Sequence, residues 1–240
     1  TEIYTLSLHD ALPILSVLQN LPVVICLDRA GLVGEDGATH HGCYDIAAYR
    51  CIPNAVIAVP ADELELKNMM YTASMANGGP FIIRYPRGCG ENVPWKTAEY
   101  ELMPPRHGQR VMEGRDIAVI AAGPSVWRAR EAIEEFSRER GWTPSLYNIR
   151  YIKPIDEDLL KEACTGHRTI ITIEDGCVAG GLHGAVSEYA AERFPGVEVL
   201  GIGIPDEFVA QASQAEQREY CGLTTGRILR TLLREAAKIK

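Results

Sequence analysis

Residues 28–42 read DRAGLVGEDGATHHG. Behind Asp28 this stretch holds an arginine, two acids, two adjacent histidines and four glycines. Arg29 presents a rigid fork of donors suited to a phosphate or a carboxylate. His40 and His41 carry side chains that exchange a proton near neutral pH. His40 is the candidate for moving protons, and Asp36, four residues before it, is placed to orient a hydroxyl or set an imidazole tautomer. A second fork, Arg87, follows in RYPRG. Two arginines converging past the ends of neighbouring strands would bind one phosphate bidentately. Arg84, one strand position out of phase, reads as structural.

The elements around these residues are short. Residues 21–27 (LPVVICL) form an apolar run of the kind buried in parallel sheets. Residues 55–59 (AVIAV) and 81–85 (FIIRY) repeat the pattern. A short helix is expected over residues 44–50. A longer one is expected from Asp62 as N-cap to about Ala76, with Glu63 and Glu65 in the first turn favouring the helix dipole. Strands alternating with helices over short links indicate parallel α/β. In such sheets ligands sit beyond the carboxyl ends of the strands, where residues 28–42 and Arg87 fall. Gly31, Gly34, Gly37 and Gly42 permit left-handed turns and close backbone approach there.

Between residues 90 and 115 the pattern breaks at Pro94, Pro104 and Pro105. This reads as an interdomain linker with room for an edge strand. A second α/β unit follows, with strands expected over 117–121, 145–149, 169–173 and 197–202. Its helices are expected over 126–140, 157–163, 182–193 and 224–237. Glu174-Asp175 and Gly180-Gly181 fall at a strand-to-helix turn, where acids beside a helix N-terminus explain the pattern better than a metal. His167 and His183 read as structural.

The 240 residues carry a net charge of −8, with 46% hydrophobic and 23% charged residues. That balance is ordinary for a soluble globular protein and unsuited to general nucleic-acid binding. No apolar run reaches the roughly 20 residues that span a bilayer. Seven scattered cysteines, without CxxC or zinc spacing, read as reduced thiols of a cytosolic protein.

The loop's wording closely resembles the 1-deoxy-D-xylulose-5-phosphate synthase family, thiamine-diphosphate enzymes related to transketolase. The resemblance runs on through YRCIPNAVIAVPADELE, RYPRG, IRYIKPID, TIEDGCVAGG and GIPDEFVAQASQAEQREYCGL, in order from about Leu15. It implies an incomplete transketolase-like pyrimidine-binding domain over residues 15–90, a linker over 91–115 and a transketolase C-terminal α/β domain over 116–240. It implies that Arg29 and Arg87 hold the phosphate of glyceraldehyde 3-phosphate. It also implies that Asp36 and His40 line the pocket as catalytic residues. His41 stands where many relatives have Gln and is left without a role. The second domain is implied to be structural and dimer-forming.

Residues 1–14 (TEIYTLSLHDALPI) match nothing in the family pattern. They resemble the in-frame translation of a sequencing adapter and are read as foreign. The family's diphosphate-and-magnesium motif, of GDG…N type, and the glutamate that activates the aminopyrimidine ring belong to an upstream region. The resemblance therefore implies thiamine diphosphate and Mg2+ for the full-length enzyme, with their main motifs absent from this chain. No cofactor-binding residue is assigned, and the chain alone is expected to be inactive. The implied reaction joins pyruvate to glyceraldehyde 3-phosphate with loss of carbon dioxide, in a cytoplasmic homodimer with no nucleic-acid or membrane partner. Two alternatives stay open: a transketolase or 2-oxo acid dehydrogenase beta subunit, and a non-catalytic binding or assembly module.

Overall fold

Two sheets share the chain. The computed structural model describes residues 16–239, so the reading of residues 1–14 as foreign lies outside the described residues. Val24–Leu27 (β1), Val56–Ala58 (β2) and Phe81–Arg84 (β3) form a parallel sheet with β3 in the middle. Its helices are Asp45–Arg50 (α1) and Glu63–Met75 (α2). Asp62 caps α2 as its sequence suggests, accepting from the backbone N–H of Leu64 at 3.0 Å and of Glu65 at 2.9 Å.

The second sheet contains Gln109–Met112 (β4), Asp116–Ala121 (β5), Ser145–Asn148 (β6), His167–Cys177 (β8) and Glu198–Ile204 (β9), in the order β4-β6-β5-β8-β9. All its neighbours run parallel except β4, an antiparallel edge strand against β6. Around it lie Ser125–Arg140 (α3), Glu157–Gly166 (α4), Leu182–Arg193 (α5), Gln214–Tyr220 (α6) and Thr225–Ala236 (α7).

The two sheets are tied by a strand that the sequence reading left as part of a motif. Tyr151–Lys153 (β7) crosses into the first sheet and pairs antiparallel with β2, Ile57 opposite Lys153 and Ala58 opposite Tyr151. Tyr151 is fully buried, edge-on to Phe81 at 6.1 Å between ring centres, and its hydroxyl donates to the Met103 carbonyl. Lys153 Nζ donates to the carbonyls of Arg50 at 2.7 Å and Ile52 at 2.6 Å, just past α1. Glu65 of α2 reaches the other way, taking Arg150 Nε at 2.7 Å and Asn148 Nδ2 at 3.0 Å. One apolar cluster accordingly mixes Ile46, Ile57 and Ile82 of the first half with Ile120, Tyr147 and Leu160 of the second.

Residues 91–103 form a strap across α2. Glu63 accepts from the N–H groups of Glu91 and Asn92, Asn68 from Glu101, and Thr72 from Met103. These bonds satisfy backbone donors that no sheet engages.

Candidate functional site

The loop at residues 28–42 is pinched at its base. Arg29 takes a left-handed φ of 60° as the chain leaves β1. Ala30 N–H then donates to the Tyr85 carbonyl at 3.0 Å, Gly31 N–H to the Gly42 carbonyl at 2.8 Å and Gly42 N–H to the Arg29 carbonyl at 3.1 Å. Two glycines make this crossing possible. Gly31 has a φ of 77°, and a Cβ there would fall on the Asp175 carboxylate. A Cβ on Gly42 would strike the Arg29 carbonyl.

Arg84 lies beneath the pinch and is buried with the rest of β3. Its Nε donates to Asp45 Oδ2 at 2.7 Å, and its Nη2 to the carbonyls of Gly42 at 3.1 Å and Asp175 at 3.0 Å. Burial works against the cation, but the Asp45 carboxylate and the charges of Asp175 and Glu174 together outweigh it, and the guanidinium pKa is raised. One side chain thus holds the loop base, α1 and the end of β8 together.

The outer part of the loop is held from the second half, by residues the sequence reading assigned no role. Gln217 of α6 is buried; its Oε1 accepts from Gly34 N–H at 2.9 Å, and its Nε2 donates to the carbonyls of Gly34 at 3.1 Å and Ala210 at 2.9 Å. Gln214 Nε2 donates to the Leu32 carbonyl at 2.6 Å, and Gln211 Nε2 to the Glu35 carbonyl at 2.6 Å. His41 also gains a place: its Nδ1 accepts from Val33 N–H at 3.2 Å. Its Nε2 lies 3.4 Å from Gln217 Nε2. Both hydrogens of that amide are already donated to carbonyls, so this is packing rather than a hydrogen bond. The signal available was the S-x-x-E box at Ser213–Glu216, which starts α6 and is formed in both directions.

Held in this way, the loop carries Asp36 to a position between the two arginines. Arg87 Nη1 donates to Asp36 Oδ2, and Arg29 Nε lies 3.7 Å from the same oxygen. Asp36's pKa is lowered, first by the Arg87 hydrogen bond, against slight desolvation, and then by the charges of Arg87, Arg29 and His40. The carboxylate stands where an anion would bind two convergent guanidiniums, both about half-exposed. A cavity of about 240 Å³ opens beside Arg87 and Gly88, between residues 33–35 and Ser213-Gln214. His40 is exposed on the same loop, with Nδ1 3.1 Å from Thr39 Oγ1. Asp36 does not bond its ring, so the tautomer-setting role suggested by their spacing has no counterpart in the geometry.

Glu174 is buried at the end of β8 and accepts from the N–H groups of Leu182 and His183, both at 2.8 Å. It caps α5. Burial pushes its carboxyl up to about 7 despite those bonds. His167 bonds Ser145 Oγ and the Ala163 carbonyl, both at 2.9 Å, and His183 Nδ1 lies 3.3 Å from Thr172 Oγ1. Both histidines are framework. Among the described residues, no group of three or more His, Cys, Asp and Glu side chains could hold a metal ion. No helix among them is long and apolar enough to cross a membrane.

Comparison with known proteins places this geometry. A split-gene transketolase, described as an inactive β4 tetramer, superposes with a TM-score of 0.80 at 28% identity, covering 91% of this chain and 68% of that one. Transketolase from Campylobacter jejuni shares the fold at a TM-score of 0.70 and 17% identity, covering 92% of this chain and 33% of its own. The 1-deoxy-D-xylulose-5-phosphate synthase of Bacteroides thetaiotaomicron is 46% identical over 228 residues, 95% of this chain and 34% of that protein. That of Thermomicrobium roseum is 40% identical over 220 residues, 92% of this chain and 34% of its own length. The chain therefore spans about a third of the length of the curated relatives it matches. The transketolase pyrimidine-binding domain family matches residues 4–91, beginning within the segment read as foreign, and the transketolase C-terminal domain family matches residues 106–228. The chain belongs to the transketolase family.

Proposed function

We propose that this chain supplies the phosphate-recognising part of a 1-deoxy-D-xylulose-5-phosphate synthase, a cytoplasmic, homodimeric transferase. The reaction is the thiamine-diphosphate-dependent condensation of pyruvate with glyceraldehyde 3-phosphate to 1-deoxy-D-xylulose 5-phosphate and carbon dioxide. The observation that carries this reading is the Asp36 carboxylate between Arg29 and Arg87, past the ends of β1 and β3. A substrate phosphate would displace that carboxylate and engage both forks, leaving Asp36 to accept from a substrate hydroxyl. His40, exposed on the loop, would move the proton. Similarity to synthases at 40 to 46% identity supports the choice of acceptor.

On this reading the cofactor's diphosphate and its magnesium are not held by this chain. The sequence has no GDG…N motif, and the described residues hold no metal-binding cluster. The cofactor, which supplies the electron sink for decarboxylation, would be held by the part of the relatives' length that this chain does not span. On this reading the chain alone is inactive. The split-gene transketolase, whose β4 tetramer is described as inactive, supports that expectation.

The test joins residues 15–240 to the upstream region of the Bacteroides thetaiotaomicron synthase and measures two activities. Pyruvate-dependent condensation with glyceraldehyde 3-phosphate is expected. Ketol transfer between sugar phosphates without pyruvate would assign the chain to a transketolase instead. Oxidative acyl transfer from a 2-oxo acid would assign it to a dehydrogenase beta subunit.

A further inference from the structure

A second cleft lies on the other side of Arg87. It measures about 400 Å³ and opens between the turn at residues 87–91 and helices α3 and α6. Arg87, Gly88 and Gln214 line both cavities, whereas neither Arg29 nor Asp36 lines this one. Two other arginines do, Arg128 from α3 and Arg218 from α6. Each has a buried Nε with no hydrogen-bond partner. Arg128 makes one side-chain bond, from Nη2 to Ser125 Oγ at 3.0 Å. Arg218's guanidinium makes no hydrogen bond or ion pair among the described residues. Orphaned donors at half-buried cations are costly, and such groups in native structures ordinarily have a partner.

The nearby acids do not supply that partner. Asp62 is committed to capping α2 and Glu63 to the N–H groups of Glu91 and Asn92. Glu131 accepts from Thr225 Oγ1 at 2.9 Å. Asp175 and Glu91 act on Arg128 through space but form no ion pair with it. Burial and the like charge of Arg218 both weigh against the Arg128 cation. Leu66, Tyr85 and Pro124 make the lining partly apolar. Two unpaired guanidiniums lining one partly apolar cavity of ligand size suit a compact anion with an organic tail.

We propose that this cleft is a second anion site, taking the phosphate of a small phosphorylated compound on Arg128 and Arg218, and adjoining the Arg29–Arg87 clamp at Arg87. The inference goes beyond the condensation reading and does not depend on it.

The test titrates inorganic phosphate and glycerol 3-phosphate into the 240-residue chain by calorimetry at low salt. Both should bind, glycerol 3-phosphate more tightly because its tail reaches the apolar part of the lining. Arg218→Gln should weaken binding about tenfold or more, the loss of one charge-assisted contact. Arg218→Lys should restore part of it, and in an Arg29→Ala background, where the clamp is weakened, the loss on Arg218→Gln should persist. Arg128→Gln should match Arg218→Gln; if it does not fold, Arg218→Gln, on a short surface helix, decides alone. Absence of binding to the unsubstituted chain overturns the proposal, as does an Arg218→Gln affinity equal to it. A loss on Arg29→Ala with none on Arg218→Gln would put the phosphate in the clamp, refuting the second site while leaving the condensation reading intact.

Discussion

Gln217 and Gly34 are joined in both directions: the Gln217 amide accepts from Gly34 N–H at 2.9 Å and donates to the Gly34 carbonyl at 3.1 Å. A side chain from the second half thus acts as a strand partner for the loop that carries Asp36 and His40. Gln217→Ala would leave the buried Gly34 N–H unpaired, while the Gly34 carbonyl keeps the Gly37 N–H at 3.1 Å, a cost of about 1–3 kcal/mol. Denaturant unfolding should show that loss, and hydrogen exchange at Gly34 should accelerate well beyond the rest of the chain. Uniform acceleration would mean that Gln217 stabilises the fold without holding the loop.

Gly31 is a second fixed point. With φ at 77° and the Asp175 carboxylate where a Cβ would go, Gly31→Ala meets both backbone strain and a clash. We expect a destabilisation of about 2 kcal/mol or more. Adding Asp175→Ala should recover the steric part only. If Gly31→Ala unfolds like the parent chain, the loop base is looser than its hydrogen bonds indicate.

Much of this arrangement was legible in the sequence, for identifiable reasons. Helix α5 runs over residues 182–193 as the apolar pattern predicts, and Asp62 caps α2 because the acid-rich first turn marks that end. Arg84, read as structural, is buried with the rest of β3 and bonds the loop base. Strand β7 was not legible, because three residues, Tyr151–Lys153, carry no periodicity of their own. Its place depends on a buried tyrosine and on a partner strand in the other half of the chain. Helix α6 did carry its S-x-x-E signal, yet nothing local says that Gln211, Gln214 and Gln217 point at a loop far away in sequence. Asp36 and His40 share a loop, but their spacing did not reveal that Asp36 turns to the arginines and His40 to Thr39.

Arg84 is the part of the framework most sensitive to a single change. Arg84→Met would strand the Asp45 carboxylate and take a donor from the carbonyls of Gly42 and Asp175. Breaking a buried pair by removing one partner costs about 3–5 kcal/mol. Thermal unfolding should report a loss of that order, whereas a loss typical of a surface ion pair, under about 1 kcal/mol, would contradict the keystone role.

Glu174 sets a pH dependence. The folded chain holds its proton up to about pH 7, whereas the ordinary carboxyl releases it near 4.5. Between those values the folded state binds more protons than the unfolded one, so stability falls as pH rises through the window and levels off above it. At about 1.4 kcal/mol per pH unit the full effect is at most about 3 kcal/mol. Glu174→Gln should flatten the stability profile between pH 5 and 7, values inside that window. An unchanged slope in the variant would assign the dependence to other groups.

The central claim is that Arg29 and Arg87 receive a substrate phosphate, with His40 on the same loop handling a proton. In the chain joined to its upstream region, His40→Ala should mainly lower kcat, by about 10²–10⁴-fold. The most direct measurement is the pair of KM values for Arg87→Ala. The KM for glyceraldehyde 3-phosphate should rise about tenfold or more, the loss of one charge-assisted contact worth about 1.5–3 kcal/mol. The KM for pyruvate, which carries no phosphate, should stay nearly unchanged. An equal effect on both substrates, or none on either, would contradict the clamp.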